Sequence, residues 1–291
     1  MADKETIVVT GGAGLIGSHL IELALPKYRV VSLDNYFIGS KDNHIPGAEY
    51  VEGHTKDIEQ LLEKEQPAII FHLGEYSRVE QSFDDIERVW ESNMHGTFRV
   101  LQYWRAKKCK MVYAGSSTKF SDGGLGRDQS PYAWMKASNT ELVRNFGNWF
   151  SLPYAITYFY NAYGARELST GPYASVIGRF KEQYKKGEAI TVVSPGTQKR
   201  NFTAASDIAR GLLMVGEKGQ GDDYGIGSPE SHTVLEIAKM FGGDITMLPE
   251  RAGNRMDSIV DTSRVEKEFG WKPEMGVKDY IASIKTGKIV V

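Results

Sequence analysis

Two pairs of residues in this chain put a phenol and an ammonium four positions apart: Tyr132 with Lys136, and Tyr103 with Lys107. On a helix that spacing places both groups on one face. The spacing is cheap to obtain by chance, and context separates the two pairs. Tyr132 follows Tyr113-Ala-Gly-Ser116-Ser117-Thr118, where an apolar run ends in hydroxyl residues. Tyr103 has no such partner and reads as a packing residue on a long helix. A tyrosine titrates near ~10 in model peptides, so at neutral pH it is a poor base unless a positive neighbour stabilises the phenolate. Lys136 is one such charge, and an oxidised nicotinamide ring is another. Ser117 can share a hydrogen bond with a substrate hydroxyl and stabilise the developing alkoxide. The chemistry of such a set is alcohol oxidation, with the proton passing to Tyr132 as hydride leaves the carbon.

The element that would hold the hydride acceptor is at the start of the chain. Thr6-Ile-Val-Val-Thr10 reads as a buried parallel strand, breaks at Gly11-Gly12-Ala13-Gly14, and runs into an amphipathic helix from Leu15 to Leu25. Gly12-x-Gly14-x-x-Gly17 satisfies the dinucleotide fingerprint, whose glycines permit a tight turn and close approach of backbone to a pyrophosphate. The helix N-terminus, with Leu15 and Ile16, then faces the phosphates. A second apolar run, Arg29 to Leu33, ends in Asp34 and Asn35, near the offset where an acid meets the adenosine ribose hydroxyls. Asp34 would repel a 2′-phosphate, which predicts NAD rather than NADP.

Strand and helix patterns go on alternating. Glu49 to Glu52, Ala68 to Leu73, Met111 to Ala114 and Pro153 to Tyr160 read as strands. Ile58 to Glu65, Ile86 to Lys107 (with a weak point at Gly96) and Pro131 to Phe150 read as helices, the last with Ser130 as N-cap and Pro131 at its first position. This pattern predicts an α/β protein with a doubly wound parallel sheet over residues 1–164. Beyond Gly164 a helix at Ser175 to Lys186, a strand at Ala189 to Val193 and a helix at Ser206 to Glu217 predict a smaller mixed α/β lobe, residues 165–291, that closes the substrate pocket, the boundary being approximate and open to crossings of the chain between the lobes.

Composition narrows the partners. The 291 residues are 41% hydrophobic and 25% charged, with a net charge of -2 and dispersed basic residues, so nothing predicts nucleic acid or membrane as a partner. The one cysteine, Cys109, precedes an apolar strand and reads as an inert core thiol. The charged residues 1–6 and the short apolar run after them do not form a signal peptide, and the cytoplasm is the expected location. The six histidines show no metal-ligand spacing, and no metal is predicted.

Taken with Ser117, Tyr132 and Lys136, these motifs resemble the extended short-chain dehydrogenase/reductase family, and within it the nucleotide-sugar epimerases and dehydratases, over nearly the whole chain. Thr10 to His19 resembles that family's glycine motif, with the Rossmann fold it implies. Lys56-Asp57-Ile58 is similar to its adenine-contacting acid and neighbour, Phe71-His72-Leu73 to the strand beside the nicotinamide, and Asn93-Met-His-Gly96-Thr97 to its structural asparagine motif. Tyr158 to Gly164 resembles the segment whose aromatic, taken as Tyr160, lies against the nicotinamide and whose asparagine, Asn161, meets a substrate diphosphate. Arg200-Asn-Phe202 and Arg251-Ala-Gly253-Asn254 resemble the two places where arginines bind that diphosphate, and Gly270-Trp-Lys-Pro273 resembles the family's end. The resemblance implies that Ser77 and Thr118 also face the substrate, and that Ile86 to Lys107 and Pro131 to Phe150 form a homodimer. Trp90, Trp104, Trp134 and Trp149 lie on those two helices, more aromatic surface than one sheet face needs.

Departures narrow the chemistry further. The dehydratase branch follows its catalytic hydroxyl with an Asp-Glu pair, and here those positions are Thr118 and Lys119. A 3,5-epimerase needs a pocket cysteine, and Cys109 lies at the wrong end of its strand. Gly74-Glu75 stands where the family has two small residues, so Glu75 is a cofactor contact, a substrate contact or a partner for Arg78. The glycine-rich loop Ser121 to Asp128 borders the sugar site. The leading expectation is an NAD-dependent nucleotide-sugar 4-epimerase working through a 4-keto sugar. A 4-dehydrogenase or 4,6-dehydratase with the same first step, and a non-catalytic dinucleotide-binding scaffold, are the alternatives.

Overall fold

The computed structural model describes residues 4–117, 126–250 and 261–288. Six β-branched or aromatic runs form strands β1 (Thr6–Thr10), β2 (Arg29–Asp34), β3 (Glu49–Glu52), β4 (Pro67–His72), β5 (Lys110–Ser116) and β6 (Tyr154–Phe159). With the strand Gly221–Ile226 they make one seven-stranded parallel sheet in the order Gly221–Ile226, β6, β5, β4, β1, β2, β3. Successive side chains point to opposite faces, and both faces are covered. Ile7, Val9, Phe71 and Val112 meet helix α1 (Leu15–Ala24) and the helix Ala205–Lys218 through Leu20, Ile208 and Leu212. Val8, Ile70, Met111 and Ile156 meet the helices Thr97–Lys107 and Pro131–Phe150 through Leu101, Trp104 and Phe146. Two cores, one on each face, fix the sheet.

The small lobe has its own core of Ile177, Phe180, Val192, Phe202, Ile237, Phe241 and Tyr280. Two-stranded pairs frame it, among them Ile190–Val193 beside Ile245–Leu248. The chain does not stay there: the helix Ala205–Lys218 and the strand Gly221–Ile226 return to the large sheet. A cut at residues 164 and 165 therefore does not separate the lobes cleanly. The return helix and strand carry apolar faces that only the large sheet can cover.

The helix expected over Ile86 to Lys107 is interrupted. Ile86–Val89 and Thr97–Lys107 are α-helical, and Trp90–Gly96 between them is a π-helix. Such wide turns gather at functional sites because they re-aim side chains. The short helix after β3 is also tighter than expected, a 3-10 turn Thr55–Asp57 leading into only Ile58–Leu61. Pro131–Phe150 forms as expected, with the Ser130 hydroxyl accepting the Ala133 N–H at 3.1 Å.

Candidate active site

The carboxyl ends of β1, β2, β4, β5 and β6 open onto a cavity of about 740 Å³ that runs from the sheet edge to the small lobe. Chain order reverses between β1 and β4, the place where open α/β sheets bind ligands. There the backbones of Gly11 and Gly74 touch: a Cβ on Gly11, whose φ is +76°, would lie 2.9 Å from Gly74 Cα. A Cβ on Gly17 would lie 2.2 Å from Gly11 O, so the turn packs onto the first turn of α1. Gly14 caps α1 with no side-chain bond. The first N–H groups of the helix, at Leu15, Ile16 and Gly17, stand at the cavity wall.

Asp34 sits beside that turn, buried, with Oδ2 accepting the Ala13 N–H at 2.9 Å and Oδ1 the Tyr36 N–H at 2.8 Å. Burial pushes its carboxyl pKa up, and the two backbone N–H groups pull the other way. Asn35 lines the same end, its Oδ1 accepting from Phe37 N at 3.1 Å. These are the features NAD requires: a bare glycine floor, helix N–H groups for a pyrophosphate, and a carboxylate at the ribose end.

At the other end, Tyr132 faces the cavity from the first turn of its helix, and its hydroxyl donates to Ser116 Oγ at 3.3 Å. Ser117 lines the cavity beside Ser116. Lys136, one helical turn on, points inward to Glu75 and the Ala114 carbonyl, with its ammonium 4.5 Å from the Tyr113 ring centre. Glu75 thus partners Lys136, and Arg78 is not its counterion.

Glu75 also accepts from Thr97 Oγ1 at 2.8 Å, Asn139 Nδ2 at 2.9 Å and Tyr113 OH at 3.2 Å. Burial is the largest influence and would raise its pKa, but Lys136, His72 and the Thr97 hydrogen bond together hold the carboxyl below its ordinary value. Burial and the Glu75 charge push the Tyr113 phenol well above its ordinary value.

Behind Glu75 lies a directed hydrogen-bond chain. Gly74 N donates to Thr10 Oγ1 at 3.0 Å, and that hydroxyl meets His72 Nδ1 at 2.7 Å. His72 Nε2 meets Thr97 Oγ1 at 2.9 Å, whose proton goes to Glu75. Only the tautomer with hydrogen on Nε2 satisfies every partner. Burial lowers the His72 pKa to about 4, so the ring is neutral.

Most of the expected site residues meet in this cavity: Gly11, Gly14, Leu15, Ile16, Gly17, Asp34, Asn35, Leu73, Gly74, Glu75, Ser77, Ser117, Tyr132, Lys136, Asn161 and Arg200 all line it. Four do not. Asn93 is buried behind the wall, bracketing Tyr76 by accepting its N–H at 2.7 Å and donating to its carbonyl at 3.0 Å. Ile58 is fully buried in the core, and Asp57 is exposed on the turn whose residue Thr55 reaches the cavity. Tyr160 is buried past the end of β6, against Gly227, and Phe159 takes the lining position. Thr118, Lys119, residues 121–125 of the glycine-rich loop and Arg251 to Asn254 lie outside the described residues.

The sequence model of the NAD dependent epimerase/dehydratase family matches residues 7–227. The chain belongs to that family. Along 96% of its length it is 28% identical to a putative UDP-glucose 4-epimerase of Methanocaldococcus jannaschii, of which it covers 96%. It is 27% identical to UDP-glucuronic acid decarboxylase 6 of Arabidopsis thaliana, covering 94% of this chain and 85% of the relative. The crystal structure of Thermus thermophilus UDP-glucose 4-epimerase in complex with NAD superposes with a TM-score of 0.89 at 24% identity, covering 96% and 99% of the two chains. The chain is thus an NAD-dependent enzyme of the epimerase/dehydratase family.

Ser116, Phe159, Arg166 and Arg179, none of them an expected site residue, complete the cavity together with Arg78, which the sequence offers only as a counterion for Glu75. Strand parity is the signal for Phe159. Tyr158, its neighbour, is fully inside the second core, so Phe159 must face the other way. The doublet Ser116-Ser117 conceals which hydroxyl meets Tyr132. No local pattern marks the arginines.

Proposed function

We propose that this chain is a nucleotide-sugar 4-epimerase. The observation that carries the reading is the Tyr132 phenol, bonded to Ser116 and facing the same cavity as the glycine floor. Bound NAD supplies a reversible hydride acceptor at C4 of the sugar. Tyr132 takes the proton of the 4-hydroxyl and later returns it, and the hydroxyls of Ser116 and Ser117 hold the oxygen while its charge develops. Arg200 and Arg179 face the cavity from the small lobe and suit the substrate diphosphate. Asn161, held by its amide on the Asn201 carbonyl at 3.3 Å, stands between the lobes to contact it. In this reading the large sheet body serves the cofactor and the small lobe the substrate.

Release of the keto sugar, as in a 4-dehydrogenase, uses the same first step. So does a decarboxylase of the kind found among the relatives. A sugar nucleotide carrying deuterium at C4 separates the outcomes. A 4-epimerase keeps the label at C4 of the inverted sugar. A label at C6, a label lost from the sugar, or a product lighter by one carbon dioxide would overturn the reading in favour of dehydratase, dehydrogenase or decarboxylase.

A homodimer fits the exposed apolar surface of the two helices beside the site. Trp90 is 54% exposed, Trp134 42% and Trp149 65%, with Ile86 and Phe98 also exposed. Trp104 is not part of that surface, because it is fully buried in the second core. A reducing compartment such as the cytoplasm suits a chain whose one cysteine is a buried free thiol with its pKa pushed up to about 12. Among the described residues no helix is long and apolar enough to cross a membrane.

A further inference from the structure

The cations that line the cavity differ in what holds them among the described residues. Lys136 is matched by Glu75, Arg88 by Asp85 and Arg166 by Glu22. Among the described residues Arg78 has no carboxylate partner. Its Nε donates to the Tyr173 carbonyl at 2.7 Å, and its Nη1 to the Ser77 carbonyl and hydroxyl at 3.1 Å each. These neutral acceptors fix the guanidinium without cancelling its charge. Burial lowers its pKa, and the ionisable groups that face it are Tyr132 and Tyr76.

The position identifies which part of a ligand Arg78 meets. One turn further along, Ser82 donates to the Val79 carbonyl at 2.6 Å and accepts the Tyr132 N–H at 3.4 Å. Arg78 itself interacts electrostatically with Tyr132 and lines the same cavity, which puts it at the reacting end. The small-lobe arginines are placed for a diphosphate. A partly desolvated guanidinium binds an anion more strongly than an exposed one, and its planar fork matches a carboxylate.

We propose that Arg78 receives a carboxylate on the sugar, so that the substrate class is a nucleotide-linked hexuronate and not a neutral hexose. The proposal rests on the nucleotide-sugar reading above and adds the charge of the sugar to it.

The test is calorimetric titration of the NAD-loaded enzyme with matched pairs: UDP-glucose and UDP-glucuronate, UDP-galactose and UDP-galacturonate, GDP-mannose and GDP-mannuronate. At least one uronate should bind about tenfold or more tightly than its neutral mate, the range of one charge-assisted contact. Arg78→Gln should reduce that ratio toward one, and Arg78→Lys should keep part of it. Arg78→Met, which keeps the apolar stem, replaces the glutamine variant if the latter fails to bind NAD.

Equal affinity within every pair would overturn the proposal while leaving the nucleotide-sugar reading intact. So would a ratio that Arg78→Gln and Arg78→Met leave unchanged, as when the residue serves the diphosphate that each pair shares. Failure of every sugar nucleotide to bind would remove both readings together.

Discussion

Lys136 and Glu75 form an ion pair whose side chains are only 5% and 3% exposed. The lysine that a phenolate would use as its counter-charge already has one. Removing one member of a buried pair leaves the other uncompensated and costs about 3–5 kcal/mol, whereas removing both costs much less. Glu75→Gln should therefore lower stability by about 3 kcal/mol, and Glu75→Gln with Lys136→Met should restore most of it. Urea unfolding of the two single variants and the double variant measures the coupling. Additive losses would show that the pair is not a unit. Glu75 titrates below its unfolded value, so its stabilisation is complete above about pH 4.3 and is lost as pH falls through the folded value.

His72 titrates in the opposite chemical sense with the same pH direction. Its folded pKa is about 4, against 6.5 for the free side chain. Between those values the unfolded chain binds a proton that the folded chain refuses, so stability falls as the solution is acidified from about pH 6.5 to about pH 4. From pH 7 to pH 5 the loss from this group should be about 2 kcal/mol. His72→Gln should flatten that part of the profile. An unchanged pH slope in urea midpoints would assign the acid sensitivity elsewhere.

Tyr132→Phe should preserve NAD binding and the melting temperature while lowering turnover by on the order of 10²–10⁴-fold. Tyr103→Phe is the contrast. The Tyr103 hydroxyl is buried and donates to the Leu62 carbonyl at 3.0 Å, and neither residue is part of the cavity lining. Its loss should cost about 1 kcal/mol of stability and leave turnover nearly intact. Equal kinetic losses would mean that the wrong tyrosine has been chosen.

Trp90 and Trp149 give the oligomer a direct test. Light scattering at micromolar concentration should report twice the chain mass, and Trp149→Glu with Trp90→Glu should halve it. A monomeric wild-type chain would leave those exposed indoles without a second copy to cover them.

Much of this site is legible in the order of the residues. β1, the glycine turn and α1 announce themselves because each glycine answers a steric need that no other residue meets, as the 2.2 Å approach of a Gly17 Cβ to Gly11 O makes plain. The helix Pro131–Phe150 carries its own cap in Ser130. Distances across the fold are another matter. Glu75 and Lys136 are 61 positions apart, and nothing local to either says that they pair. Tyr160 and Phe159 are indistinguishable as aromatics, and the end of β6 decides between them. The return of Ala205–Lys218 to the sheet stays hidden because an amphipathic helix does not state which core it covers.

Asp34 carries a consequence for how this enzyme could evolve. Admitting a phosphorylated ribose would require the negative charge of Asp34 to go, yet the same two oxygens hold the Ala13 and Tyr36 backbone in place. A replacement without acceptors would strand the buried Ala13 N–H at about 1–3 kcal/mol and leave the half-buried Tyr36 N–H without its partner. The route to a different redox currency therefore passes through a less stable protein, and asparagine, which keeps one acceptor oxygen and loses the charge, is the narrowest step along it.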